Sequence, residues 1–299
     1  RSQTGLVVLA SLDEYKNNII KKHELTRKDK ELDRVNHILT CKAQAEPVFL
    51  TIKPLAELKE LFQKLMIAKN LRCDFVSQDQ VTHKLWQVEE TLDIKTITDL
   101  FSKIPCAYIA DGHHRAAAAL EVSKRHGNAG FMAVVFLHDE LLILPYHRVV
   151  NDYKDLGWSK IKGLAEKNFE FSKGPVTKKH EFGVLVNGEW QKMTAKKNIC
   201  DDSDPIKTLD VHILQEYFLK EIFDIKDPRT DKNIDFIGGI KGQKGIDDFC
   251  KKNKSYIGLS LFATSVTEMM NVADLGLVMP PKSTWFEPKL RSGLFVHLI

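Results

Sequence analysis

Residues 109–120 read Ile109-Ala110-Asp111-Gly112-His113-His114-Arg115-Ala116-Ala117-Ala118-Ala119-Leu120. An apolar run, a polar turn and an alanine-rich stretch follow one another, which predicts strand, turn and helix. Four consecutive alanines make a strong and slim helix former. The turn therefore lies at a helix N-terminus, where unsatisfied N–H groups and the helix dipole favour an anion. Gly112 permits close approach of a ligand to the backbone. His113, His114 and Arg115 add donors and positive charge, and the guanidinium fork suits phosphate. Two readings stand at this point. One is a phosphate-binding turn; the other is a plain N-cap by Asp111 with both histidines on the surface. Adjacent histidines do not share a helix face, so no metal ligands are assigned to the pair.

Strands are expected on either side of this motif. Apolar runs at 5–12, 47–52, 81–89 and 104–110 read as strands, and 131–137 with 141–144 as a hairpin around His138-Asp139-Glu140. Helices are expected at 54–68 and 91–102, and in a charged segment after Thr26, whose apolar face is Leu32, Val35 and Leu39. Thr26 with Asp29 three residues on gives that helix an N-cap signal. Past Asn151 the pattern changes to helix 154–166 and shorter strands. Asn187-Gly188 between two apolar runs is the strongest hairpin signal in the chain. Helices at 208–221, 244–252 and 264–273 and strands at 234–237 and 256–262 complete it. The irregular mixture predicts an α+β fold of mixed sheets with packed helices, in two lobes, 1–150 and 151–299.

Composition sets the outer limits. In 299 residues, 43% are hydrophobic and 28% charged, which excludes a disordered or collagen-like chain. No apolar run approaches the length of a membrane-spanning helix. Forty-four basic against 40 acidic residues leave +4, too weak a surplus to point to nucleic acid. No helix-turn-helix signature or basic stripe is visible either. Five cysteines, without a CxxC pair, exclude a disulfide framework and a cysteine zinc site. A reducing, cytoplasmic setting is expected. The chain opens at Arg1, directly before a strand-like run, which leaves open a missing upstream segment or a short trim.

The turn Asp111-Gly112-His113-His114-Arg115 resembles the hallmark of the prokaryotic family called domain of unknown function 1015. The resemblance extends to His23-Glu24-Leu25-Thr26-Arg27, Lys30-Glu31, Asp33-Arg34 and Glu46-Pro47-Val48-Phe49. It continues through Asp227-Pro228-Arg229-Thr230-Asp231, Phe236-Ile237-Gly238-Gly239 and Met279-Pro280-Pro281-Lys282-Ser283-Thr284. It spans nearly the whole chain and implies a further N-terminal segment with a Pro-Pro-Tyr-Asp-like stretch. Ala116 departs from the larger residue common in the family after the arginine. More distantly, Gly112-His113-His114-Arg115 is similar to the nucleotide-binding turn of the ParB/sulfiredoxin superfamily, whose free serine kinases carry a similar Asp-Gly-His turn. That likeness implies a ParB/sulfiredoxin-like nucleotide-binding core, ATP or ADP as cofactor with Mg²⁺, and phosphoryl transfer to a small hydroxyl.

Phosphoryl transfer needs positioning, charge neutralisation and one group to orient or deprotonate the nucleophile. Glu24 is the candidate base, with Asp111 and His113 completing the catalytic set; a solvated charge run is the other reading of Glu24. Gly112, His113, His114, Arg115, Lys282, Ser283 and Thr284 are the phosphate or nucleotide candidates, and Arg27 and Arg291 the substrate candidates. Arg34 could flank a phosphate with Arg27. Phe236-Ile237-Gly238-Gly239 lacks the Walker spacing and reads first as a tight turn. Asp227 and Asp231 read first as turn residues and second as Mg²⁺ ligands. Three functions compete: a nucleotide-dependent phosphotransferase on a small hydroxylated metabolite such as serine, a phosphohydrolase acting on a compound such as phosphoserine, and a ParB-like nucleotide-binding regulatory module. The implied partners are a small-molecule substrate and a nucleotide.

Overall fold

A computed structural model of the chain describes residues 2–67, 70–287 and 289–299. The chain forms two compact units. One holds the residues up to Lys21, Thr26–Leu141 and Leu290–Ile299; the other holds Lys22–Leu25 and Leu142–Lys289. The boundary expected after residue 150 falls later than this division. Tyr146–Asn151 is a strand bonded into the sheet of the second unit.

The first unit runs β1 (Gly5–Ser11), α1 (Leu12–Lys16), β2 (Ile20–Lys21), α2 (Lys28–Cys41), β3 (Ala43–Gln44), β4 (Val48–Ile52) and α3 (Ala56–Ile67). It continues with β5 (Leu71–Val76), β6 (Thr82–Trp86), α4 (Thr91–Phe101), β7 (Ala107–Asp111), α5 (His113–His126) and β8 (Gly130–Leu137). Residue 68, the expected end of α3, lies outside the described residues. A five-stranded mixed sheet has the order β1-β8-β4-β7-β2. Pairs β1–β8 and β4–β7 are antiparallel, and β4–β8 and β2–β7 parallel. Every residue of β4 and β8 is buried, as continuous apolar runs in central strands require.

The expected hairpin of 131–137 with 141–144 does not form. Both edges of β8 are already occupied, by β1 and β4. A strand the sequence reading left out, β5, pairs with β6 instead. In α2 the buried face is Glu31, Val35 and Ile38 with Leu39 packed beside them, so Val35 and Leu39 lie as expected and only Leu32, 59% exposed, does not. Thr26 is not the cap: Arg27 is the N-cap residue, and the Thr26 hydroxyl donates to Glu31. The alanine run of α5 has a packing reason. Ala116 and Ala119 join the sheet core while Ala118 and Val122 meet Val35 and Ile38 of α2. Short side chains let one helix serve both contacts. The C-terminal strand His297–Leu298 pairs with β3.

The second unit runs β9 (Leu142–Leu144), β10 (Tyr146–Asn151), α6 (Trp158–Ala165), β11 (Phe169–Ser172), β12 (Glu181–Val186) and β13 (Glu189–Ala195). Next come α7 (Asp210–Leu214), a π-helical stretch Gln215–Lys220, α8 (Glu221–Phe223), β14 (Ile234–Gly238), α9 (Gly242–Lys252), β15 (Tyr256–Leu261), α10 (Val266–Asp274) and β16 (Trp285–Glu287). Its six-stranded sheet has the order β11-β13-β12-β15-β10-β14 and is antiparallel throughout. The Asn187-Gly188 hairpin forms as read, with φ of 52° and 85°, the two positive values a type I′ turn demands. Gly238 is explained by packing: a Cβ there would sit 2.4 Å from the Trp285 ring. Among the described residues no helix is long and apolar enough to cross a membrane.

Candidate functional site

Strand β7 delivers the chain to the turn and ends at Asp111. Gly112 is the N-cap of α5, with φ 101° and ψ 26°, a conformation that side-chain-bearing residues rarely adopt. The N–H groups of Arg115 and Ala116 both donate to the Gly112 carbonyl, at 2.9 and 3.1 Å. The N-cap residue, a glycine, makes no side-chain cap bond, and no acidic residue occupies the first turn. The alternative of an Asp111 N-cap is therefore overturned, because the chain turns one residue later, where glycine alone is unstrained. Nor is His113 a surface residue; it is 3% exposed.

Arg115 folds back across this turn. A Cβ on Gly112 would lie 3.0–3.1 Å from its guanidinium. Arg115 donates to the Pro47 carbonyl and lies 3.9 Å from a Glu46 carboxylate oxygen and 3.7 Å from one of Asp111. Arg34 reaches the same Glu46 oxygen at 3.7 Å. Two arginines and two acids thus share one network, with Glu46 at its centre. The cavity lined by Arg34, His37, Gln44, Glu46 and Arg115 measures about 20 Å³, room for a single water. A phosphate at this turn must bind on its open side. A separate cavity of about 490 Å³ is lined mostly by apolar residues such as Leu6, Val8, Ile52 and Phe101 and by none of the candidates.

His114 is committed in part to structure. Its Nε2 accepts the Arg27 N–H at 3.1 Å, so that nitrogen is unprotonated and only Nδ1 can donate to a ligand. Burial pushes its pKa below the ordinary value, against the pull of Glu31 and Asp29. The Arg27 side chain is solvent-facing and bound to Asp29 at 2.9 and 3.1 Å. Arg291 is likewise engaged, with Asp79, Ser77 and His83 across the β5–β6 hairpin. These contacts give Arg27 and Arg291 structural work that the sequence did not reveal.

The second unit holds Glu24, Lys282, Ser283 and Thr284. Glu24 is exposed. The N–H of Met279 donates to the His23 carbonyl at 2.8 Å, which ties the His23-Glu24 segment to the start of the 280–284 turn. Lys282 is exposed, has a φ of 59° and places Nζ 5.2 Å from the centre of the Tyr146 ring. Ser283 is 6% exposed and spends its hydroxyl proton on the Pro280 carbonyl, so that proton is not offered to a phosphate. Asp227 is clamped by Arg229, and Asp231 accepts from Asn233, so both first serve their own loop. Arg148 was missed, and Glu46 was read only as part of a motif and not as a site residue. The signal for Arg148 was a charged residue inside the apolar run of β10.

The chain has a mixed α+β fold. The chain resembles SbnI with C-terminal truncation from Staphylococcus aureus at a TM-score of 0.51, with 10% identity, over 95% of this chain and 84% of that one. It also resembles a free serine kinase in complex with AMP (TM-score 0.46, 13% identity, 96% and 88% covered). A conserved hypothetical protein from Pyrococcus furiosus gives a TM-score of 0.45 at 13% identity, with 98% and 94% covered. No curated protein matches. The chain belongs to the family described as "Protein of unknown function (DUF1015)", which matches residues 1–212.

Proposed function

We propose that this protein is a nucleotide-dependent phosphotransferase acting on a small hydroxylated metabolite, with serine as the acceptor to test first. One observation carries the reading. The N-cap of α5 is a glycine, its first turn holds no acid, and an arginine is braced across that glycine. Such a terminus favours an anion through oriented N–H groups and the helix dipole. The turn Gly112–Arg115 is assigned to phosphate, with Asp111 and His113 beside it. Glu24 is assigned as the base that takes the acceptor's hydroxyl proton. Lys282 is assigned to neutralise phosphate charge. ATP or ADP, when bound, supplies the phosphoryl group, and Mg²⁺ is expected to share its charge.

The test is incubation with ATP or ADP, Mg²⁺ and a panel of small hydroxyl compounds, beside phosphoserine alone, followed by ³¹P NMR. Nucleotide-dependent appearance of a phosphorylated acceptor, abolished by Glu24→Gln, is the expected result. Phosphate release from phosphoserine without nucleotide would replace this reading with a phosphohydrolase. Nucleotide binding with neither reaction would replace it with a regulatory module.

A further inference from the structure

Arg148 is a buried cation without an acid. It sits on β10 at 4% exposure, and among the described residues no carboxylate lies within ion-pairing distance. Its guanidinium donates to the carbonyls of Tyr146, Pro281 and Lys282, the last two at 3.3 and 3.0 Å. Its other support is the Phe236 ring, 5.4 Å away. Burial pushes its pKa down to about 9, the signature of a charge poorly compensated by its surroundings. A buried charge is costly, so its use to hold two carbonyls of a surface turn calls for a reason.

The turn supplies one. Four consecutive carbonyls are captured from below: Pro280 by the Ser283 hydroxyl, Pro281 and Lys282 by Arg148, and Ser283 by the Thr264 hydroxyl at 3.1 Å. Prolines 280 and 281 have no N–H to offer. Residues 281–282 form a hydrogen-bonded turn, and the N–H groups of Lys282 and Thr284 find no acceptor among the described residues. Lys282 is held in the left-handed region, which side chains visit at a cost. Its ammonium rests on Tyr146 and has no carboxylate within reach among the described residues. Amide donors beside an ammonium that no carboxylate neutralises make an anion-binding concavity.

We propose that Arg148 is a positioning residue that shapes the 280–284 turn into a receptor for a phosphoryl group. The identity of the ligand rests on the phosphotransferase reading; the bracing does not. The phosphoryl group belongs to the nucleotide or to a phosphorylated metabolite, and separate titrations with ADP and with phosphoserine distinguish the two.

Calorimetry with both compounds and with inorganic phosphate tests the proposal. Lys282→Ala is expected to weaken at least one of them tenfold or more. Arg148→Lys keeps the charge but loses the fork, and is expected to weaken the same compound to a similar degree. The double variant should be no weaker than Lys282→Ala alone, because both changes remove one device. The ¹³C resonance of reductively methylated Lys282 should move on phosphate addition in the parent and stay fixed in Arg148→Lys, which a general loss of stability would not produce. Should Arg148→Lys fail to fold, Thr264→Val is read in its place, with a two- to fivefold loss expected. Full affinity in Arg148→Lys and Thr264→Val, with loss in Lys282→Ala, overturns the bracing role and spares the phosphate reading. Full affinity in Lys282→Ala removes this turn from the phosphate site altogether.

Discussion

Replacing Gly112 with alanine separates a ligand-binding turn from an ordinary bend. At φ 101° a side chain adds backbone strain of about 1–2 kcal/mol. The new Cβ also meets the Arg115 guanidinium at 3.0–3.1 Å, closer than van der Waals contact allows. Arg115 must give way by a few tenths of an ångström, which strains its bond to the Pro47 carbonyl and its pairing with Glu46 and Asp111. A hydrogen bond to a charged group contributes about 1.5–3 kcal/mol. If that bond is lost outright the sum is about 2.5–5 kcal/mol, and less where the guanidinium keeps part of it or finds solvent. Urea unfolding followed by circular dichroism measures it, with an unchanged slope showing that the native state is still compact. The same substitution in an Arg115→Ala background should cost only the backbone strain, about 1–2 kcal/mol, since the clash has gone. Equal costs in the two backgrounds would refute the idea that Arg115 is braced across Gly112.

Arg115→Ala alone should weaken phosphate or nucleotide binding roughly ten- to hundredfold, the loss of one charge-assisted contact, without unfolding the protein; unchanged affinity in calorimetry would take this turn out of the site. Two buried groups set opposing pH slopes in stability. His147, 4% exposed and accepting the Leu261 N–H on Nδ1, has its pKa pushed down to about 4 by burial. Its contribution is complete above pH 6.5 and is lost as pH falls toward 4, by about 3 kcal/mol at most. Asp210, with its pKa pushed up to about 7 by burial, contributes most below pH 3.8 and loses that contribution as pH rises to 7. Asp210→Asn should therefore make stability rise more steeply between pH 4 and 6.5 and leave the protein more stable than the parent at pH 8. A variant with the parent's profile in urea titrations at these pH values would contradict the assignment.

Much of the fold was legible in the residues. Asn187-Gly188 announced its hairpin because two positive φ values are a local demand that few residues meet. The order apolar run, glycine turn, alanine run announced β7 and α5 for a similar reason: each signal lies within a few residues and acts through the backbone it belongs to. One position of the α2 face, Leu32, was misread because periodicity alone does not decide between it and Glu31. The structure buries Glu31, which receives the Thr26 hydroxyl and the Lys28 ammonium and so meets the cost of burial. The 131–144 hairpin was misread because adjacency in sequence competes with strands distant in the chain, and β1 and β4 took the two edges of β8.

The candidate site divides in the same way. That Gly112 to Arg115 form an anion-favouring helix start follows from residue types and order. Which polar atoms are already spent does not. His114 Nε2 is taken by the Arg27 N–H and the Ser283 proton by Pro280, while Arg148 gives its guanidinium to the carbonyls of residues 281 and 282. Hydrogen-bond capacity is a property of each side chain and can be read from its name. The partner that consumes that capacity is set by which distant segments pack together, and only the tertiary structure decides that.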